Sequence, residues 1–290
     1  FDQQRLHTIP LTALGVSITR WHPVELYGNV SQAFRPATFA ELFPSDLVAV
    51  DPDLRASTGR SMDLGVRGTI GDRLLWDVGA FHLDYRDRAG VLGRTALGAD
   101  SLRFPNGLRT TVGDSRHRGA EALVDITLLT GGETGRPRLS LFGSGSFIEA
   151  TYVRGPQRGK RVEHAPRWQG RLGLDVSTRD RFALAVQASY VDPVYADANN
   201  SPISSTGVTG RIPAYLVGDV NAHLTIRRGL RAEVGITNVT DRRYFTRRAG
   251  GYPGPGLIPA DGRQVIAGLR LTHTGAPLTT RQRAQRRISR

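Results

Sequence analysis

The sequence predicts an all-β chain forming the wall of an antiparallel transmembrane β-barrel. Apolar residues recur at every second position in about eleven segments, as in Leu230, Ala232, Val234 and Ile236 set against Arg231, Glu233 and Thr237. This is the period of a strand that separates two environments. The connections alternate between short turns, near residues 22, 72, 133, 180 and 228, and long loops, the asymmetry of an outer-membrane barrel. Thirty-four Gly with a single Met favour turns and strands over a helical bundle. No run approaches the ~18 apolar residues that a membrane-spanning helix needs.

In chain order, Leu14, Val16 and Ile18 alternate with small and polar residues, turn at His22-Pro23, and lead into a strand carrying Leu26 and Val30. Residues 34–58 are broken by proline and read as a long loop. A strand from Met62 turns at Gly71-Asp72-Arg73 and returns from Leu74 to about Arg88, with Trp76, Phe81 and Tyr85 as candidates for aromatic girdles. A second long loop, 92–109, precedes a strand at 110–129. Further strands are expected at 138–153, 165–177 and 182–191, then from Pro213-Ala214-Tyr215 to the Arg228-Gly229 turn. A basic loop (154–163) and a loop at 192–212 interrupt them. The last two strands flank a Gly/Pro-rich connection of about twenty residues, too long for a tight turn and a place for function or disorder.

Composition narrows the chemistry. Of the formal charge of +13, five positive charges, Arg281, Arg283, Arg286, Arg287 and Arg290, lie at the extreme end. The remainder is scattered rather than gathered with aromatics, which argues against nucleic acid as a partner. Without Cys there is neither a disulfide framework nor a thiolate metal site. The seven His are dispersed without HExxH or i, i+4 spacing, and no G-x-S-x-G elbow occurs. The prolines at 250–256 remove amide donors that a phosphate loop would need. No catalytic residue, resident metal or cofactor is assigned, and the chain is not read as an enzyme. Asp84, Arg86, Asp87 and Arg88 read as solvated ion pairs at the surface end of a strand. Arg67, Arg171, Arg231 and Arg270 fall on the lumen side, where charges pair in a wet interior.

Several motifs point further. Asn238-Val239-Thr240-Asp241-Arg242-Arg243-Tyr244 is followed by Gly262-Arg263 at the opening of the last strand. FRPATFAELFP lies at 34–44, Asp51-Pro52-Asp53-Leu54 follows, and His117-Arg118-Gly119-Ala120-Glu121 reads as a turn-in to a strand. Over about residues 24–272 these resemble the carboxy-terminal half of a TonB-dependent outer-membrane receptor barrel, with one departure, Arg55-Ala56-Ser57 where the family continues K-P-E. FTRRAGGYPGPGLIPA (245–260) is most similar to the ferric-citrate and siderophore branch.

The resemblance implies about eleven C-terminal strands of a 22-stranded barrel, with the plug domain absent, in the outer membrane of a Gram-negative bacterium. It implies uptake of an iron chelate, ferric citrate or a siderophore, with iron carried as the chelate rather than held by protein ligands. The implied partners are outer-membrane lipid and lipopolysaccharide, an anionic ferric chelate, and the TonB complex through the missing plug. A passive porin-like or structural barrel and an inactive remnant of a receptor are the alternatives. Family members finish on an aromatic residue, whereas here a partial barrel at 1–273 runs into a basic tail, 274–290, expected to be disordered.

The basic loops supply the candidate ligand residues. Arg242, Arg243, Arg247 and Arg248, with Tyr244 and Tyr252, occupy the last long loop, and Arg154, Arg158, Lys160 and Arg161 another. Guanidinium forks match chelate carboxylates, so Arg247, Arg248, Arg243, Tyr252, Arg158 and Arg161 are the expected contacts. Lipopolysaccharide phosphate competes for the same groups.

Overall fold

The computed structural model describes residues 10–38, 49–92, 97–104, 108–131, 136–178, 181–203, 207–249 and 256–272. Much of the FRPATFAELFP motif, Tyr252 and the tail at 274–290 lie outside the described residues. The strands are β1 (Ala13–Trp21), β2 (Val24–Arg35), β3 (Ala49–Val50), β4 (Ser57–Ile70), β5 (Leu74–Leu92) and β6 (Leu108–Leu129). There follow β7 (Arg138–Tyr152), β8 (Trp168–Thr178), β9 (Phe182–Val191), β10 (Val194–Tyr195) and β11 (Arg211–Ile212). The chain closes with β12 (Tyr215–Arg227), β13 (Leu230–Thr237), β14 (Phe245–Ala249), β15 (Gly256–Pro259) and β16 (Gln264–Leu271).

Eleven long strands form one antiparallel meander, β1-β2-β4-β5-β6-β7-β8-β9-β12-β13-β16, each bonded to the next in sequence. All the short connections therefore lie on one rim and all the long ones on the other. The short strands decorate the long-loop rim: β3 pairs in parallel with β6, while β10 with β11 and β14 with β15 form antiparallel two-stranded ladders. The Asp51-Pro52-Asp53-Leu54 run holds β3 there, because the Asp51 carboxylate accepts from the Asp53 amide and the Thr110 hydroxyl while Leu54 is buried.

Register sorts the side chains into two faces. One cross-strand row reads Leu26, Val66, Val78, Ala122, Gly145, Gly170, Tyr190 and Leu216, and another reads Leu174, Val186, Val220, Ile236 and Val265. On each central strand this apolar set covers about nine residues, as from Trp168 to Val176 on β8, the length of a tilted strand crossing a bilayer. Many of these side chains are exposed, Leu64 at 68% and Leu172 at 57%. Such exposure across one continuous face belongs to a surface solvated by lipid. Residues between them, among them Glu25, Arg67, Asp77, Gln169 and Arg171, line the opposite, concave face, which encloses about 970 Å3.

Four expectations change. Strand β4 begins at Ser57 rather than Met62, because Ser57 and Thr58 pair with Arg35 and Phe34 of β2 and the Ser57 hydroxyl donates to the Asp87 carbonyl. Trp76 lies in the apolar face, paired with Gly68 and Val124, but Phe81 and Tyr85 sit an odd number of residues away and share the concave face with Gly79. They cannot belong to a lipid-facing girdle; Phe147 and Trp168, with ring centroids 4.6 Å apart, and Tyr190 occupy the lipid-facing aromatic positions near the long-loop rim. The run 117–121 lies inside β6 rather than at a turn-in, and there Gly119 is required because a Cβ would stand 2.1 Å from the Phe147 carbonyl oxygen. Strand β8 starts at Trp168, three residues later than expected, because the chain before it folds onto β7 and β10 instead of pairing along β9.

The face assignment has a measurable consequence. Val220 is flanked by Val186 and Ile236 in the middle of the apolar face, and Asn221 is its concave-side neighbour. Val220→Arg is expected to cost about 2–4 kcal/mol in vesicle-folding titrations and Asn221→Arg less than about 1 kcal/mol, since only the first places a charge in lipid.

Candidate functional site

Three long connections, 153–167, 192–214 and 238–263, meet on the long-loop rim and are joined by directed hydrogen bonds. The first folds back on the end of β7: Tyr152 N–H donates to the Lys160 carbonyl, Gly159 N–H to the Tyr152 carbonyl and Val162 N–H to the Ala150 carbonyl. Val112, Ala150, Tyr152 and Val162 form a small buried core beneath it. Glu163 locks this fold by accepting from the Tyr152 hydroxyl at 2.8 Å and from the Arg88 guanidinium at 2.9 Å.

Asn200 ties the second connection to the first. Its side-chain oxygen accepts from the Arg161 amide at 2.7 Å and its nitrogen donates to the Arg161 carbonyl at 2.8 Å. Gln157 donates to the Asn199 side chain at 2.9 Å, and His164 N–H donates to the Tyr195 carbonyl. Within the second connection Asp197 accepts from the amides of Asn199, Ser201 and Gly210, which gives the loop a fixed shape without regular structure.

The third connection begins with the Asn238–Tyr244 motif, whose spacing now has a physical reason. Asn238 is buried with φ +50°; its side-chain oxygen accepts from the Arg242 amide, and its nitrogen donates to the carbonyls of Arg242 and Asp261. Asp241, at φ +52°, accepts from the amide of Arg263 at 2.9 Å. The motif thus closes the base of the loop against Gly262-Arg263. Tyr244 stacks on Tyr215 at 4.6 Å, carrying the chain to the β14–β15 hairpin.

The sequence-predicted residues divide on this frame. Arg243 and Arg247 are exposed, as is Arg158 at the tip of the first connection. Arg161 is half-buried, its guanidinium donating to the Ala165 carbonyl and its peptide clasped by Asn200. Arg248 turns inward: it donates to the carbonyls of Gly207 at 2.9 Å and Arg211 at 3.1 Å, and lies over the Phe245 ring. It therefore joins the hairpin to the second connection. Glu163, Arg88 and Asn200 carry no local signal for the bonds that join elements, because those partners lie 39 and 75 residues away. Asp197 bonds within its own loop, where an Asx turn is the local signal that could have found it.

On the concave face below, Arg67 makes two 2.9 Å hydrogen bonds to Glu25, Tyr27 donates to Asp77 at 2.7 Å, and Arg270 pairs with Glu233. Arg171 donates to Ser189 at 3.3 Å. Of the four arginines that the strand pattern places on this face, Arg67 and Arg270 are thus ion-paired, while Arg171 is held by a hydroxyl instead of a carboxylate. Among the described residues no group of three or more His, Asp or Glu is arranged to hold a metal ion.

Fold and rim together define a receptor-type outer-membrane barrel wall. The family model described as TonB dependent receptor-like, beta-barrel matches residues 7–239, and the chain belongs to that family. Its members are Gram-negative outer-membrane barrels that serve as transport receptors. The metal-pseudopaline receptor CntO of Pseudomonas aeruginosa is 25% identical over 90% of this chain and 33% of its own length. The probable TonB-dependent receptor BfrD of Bordetella pertussis is 22% identical over 77% of this chain and 28% of its own. Unliganded ferric citrate transporter FecA superposes with a TM-score of 0.71 at 21% identity, covering 90% of this chain and 38% of that one. The ferric yersiniabactin receptor FyuA of Yersinia pestis superposes at 0.69, with 18% identity, 90% of this chain and 37% of its own covered. The chain spans about a third of the length of the curated relatives it matches.

Two titrating groups on the first connection set a pH dependence. Burial pushes the Glu163 carboxyl up, but its own backbone amide, Arg88 and Tyr152 together outweigh this and hold it below the usual carboxylate range. Burial, aided by the Arg247 charge, lowers His164 against the opposing pull of Glu163. Both depressed values favour the folded loop at neutral pH. That stability is lost as pH falls, first below the ordinary histidine range and then through the depressed value of Glu163. Proteolysis of the 153–167 connection should accelerate on acidification from pH 7 towards pH 4, and Glu163→Gln should raise the neutral-pH rate and flatten the acid response.

Proposed function

We propose that the chain is the carboxy-terminal part of the barrel of a TonB-dependent receptor that takes up an anionic ferric chelate, ferric citrate or a carboxylate siderophore. The observation that carries this reading is the rim itself. Asn200 and Arg248 fasten three connections into one platform and leave Arg158, Arg243 and Arg247 exposed upon it. Guanidinium groups carried on a fixed backbone lose less freedom when they donate paired hydrogen bonds to carboxylate oxygens. Iron arrives within its chelate and needs no protein ligand. In the whole receptor, the lumen charges would face a plug through which the TonB complex acts, and the apolar face would contact outer-membrane lipid.

The names of the similar proteins, a metal-pseudopaline receptor and a ferric citrate transporter, support the same substrate class. In the intact receptor that carries this chain, Arg243→Gln with Arg247→Gln should weaken ferric citrate binding about ten-fold, the loss of exposed charge-assisted contacts. Arg248→Gln should weaken it only together with faster proteolysis of the loops it joins. Binding by the double variant unchanged from wild type for ferric citrate and for every siderophore chelate tried would remove these arginines from the site. Uptake that persists after a protonophore collapses the proton-motive force would favour a passive channel instead.

A further inference from the structure

The short-turn rim carries a charge pattern that neither the wall nor the loops explain. Its connections fall at 22–23, 71–73, 130–137, 179–181 and 228–229, and each has an arginine in it or beside it: Arg20, Arg73, Arg138, Arg181, Arg227 and Arg228. All six are exposed, and among the described residues none has a carboxylate within ion-pair distance; Arg138 donates to the Thr127 hydroxyl at 3.4 Å. Asp72 is the one carboxylate among the described residues of these turns. Neighbouring short turns are two strands apart, about 12 Å along the rim for strands spaced by ~4.8 Å and tilted by ~40°. The cations therefore stand in a regular row along the periplasmic edge of the wall.

Where this row reaches β12, β13 and β16 the rim forms a groove. Thr225, Arg231 and Arg270 lie side by side across the three strands, and with Arg228 and Thr272 they enclose about 260 Å3. Arg231 and Arg270 stand directly opposite each other, a placement that destabilises like charges unless a negative group offsets them. Glu233 supplies one carboxylate, 3.3 Å from Arg270, whereas Arg228 and Arg231 have none among the described residues. The row has the parity of Asn221 and Glu233, so the groove opens on the concave side at the periplasmic mouth of the lumen. No acyl chain reaches that side of the wall, which rules out a phospholipid as the occupant. The exposed apolar residues nearest the edge, Ile70, Ile226 and Leu271, continue the lipid-facing rows. The cations thus surround no apolar centre of the kind a protein partner needs.

We infer that the short-turn rim docks on peptidoglycan, the carboxylate-bearing polymer of the periplasm, and that the groove at Arg228, Arg231 and Arg270 takes a carboxylate of one of its stem peptides. A polymer with a repeating negative charge meets a regular row of exposed cations through solvated contacts and needs no shaped apolar surface. Guanidinium forks match a carboxylate, and Thr225 and Thr272 line the same groove with hydroxyls. The inference depends on the outer-membrane placement, which puts the short turns in the periplasm, and is independent of the chelate reading.

The test is co-sedimentation of the intact receptor, in neutral detergent at about 0.15 M salt, with purified peptidoglycan sacculi and with sacculi whose carboxylates have been amidated. Wild-type protein should bind native sacculi and bind the amidated ones about ten-fold more weakly, as expected when charge-assisted contacts go. Arg228→Gln with Arg231→Gln should weaken binding to native sacculi by at least about three-fold, while Arg228→Lys with Arg231→Lys keeps most of it. Arg243→Gln with Arg247→Gln, on the opposite rim, should bind as wild type does. Equal binding of wild-type protein to native and amidated sacculi would overturn the inference whether or not the variants fold. An equal loss from the Arg243 and Arg247 pair would overturn it too, since the adsorption would then follow overall charge and not this rim.

Discussion

Everything in this chain depends on the satisfaction of backbone polar groups where no water is available. A strand in hydrocarbon must give every N–H and C=O to a neighbouring strand, and the consecutive antiparallel ladder from β1 to β16 does this for the interior of the wall. Because the ladder fixes register, it also fixes facing: a residue's parity along its strand decides whether it meets lipid or lumen. The apolar rows and the lumen ion pairs are two readings of one register. Gly119 shows how little freedom remains, since the Phe147 carbonyl occupies the space of its missing Cβ.

Much of this was legible in the sequence, because a period of two and an alternation of short and long connections are local properties. The apolar faces of β13 and β16 were readable residue by residue, and their pairing, Ala232 with Leu269 and Val234 with Ala267, follows the same parity. Where the reading failed, it set composition above parity. Phe81 and Tyr85 are aromatic, but their odd separation from Trp76 turns them into the lumen. The late start of β8 was not readable, since the Ala165-Pro166 pair resembles a strand entry and yet belongs to a connection held by distant partners.

The rim was legible as chemistry but not as geometry. Asn238 and Asp241 were visible as a motif, and their positive φ angles and side-chain bonds explain why those residue types stand at that spacing. Glu163 and Asn200 were invisible, and Arg88 was read only as one of a solvated set with Asp84, Arg86 and Asp87, because the bonds that define them cross between elements far apart in sequence and leave no periodic trace. A basic loop announces an anion; it does not say which of its arginines are already occupied.

Arg247 and Arg248 make that distinction concrete. They are adjacent, equally basic and equally plausible as ligand contacts in the sequence, yet they lie on a short strand, β14, where neighbours point to opposite sides. Arg248 is accordingly spent on the carbonyls of Gly207 and Arg211, and its Nε is buried without a partner, so its charge is committed to shaping the platform. Arg247 faces outward and is felt electrostatically by His164 on the first connection. A fixed platform and a free charge are complementary requirements of anion recognition: without the first the guanidinium would have to be ordered on binding, and without the second there would be nothing to bind. The alternation that separates lipid from lumen in the wall separates structure from recognition in the loop.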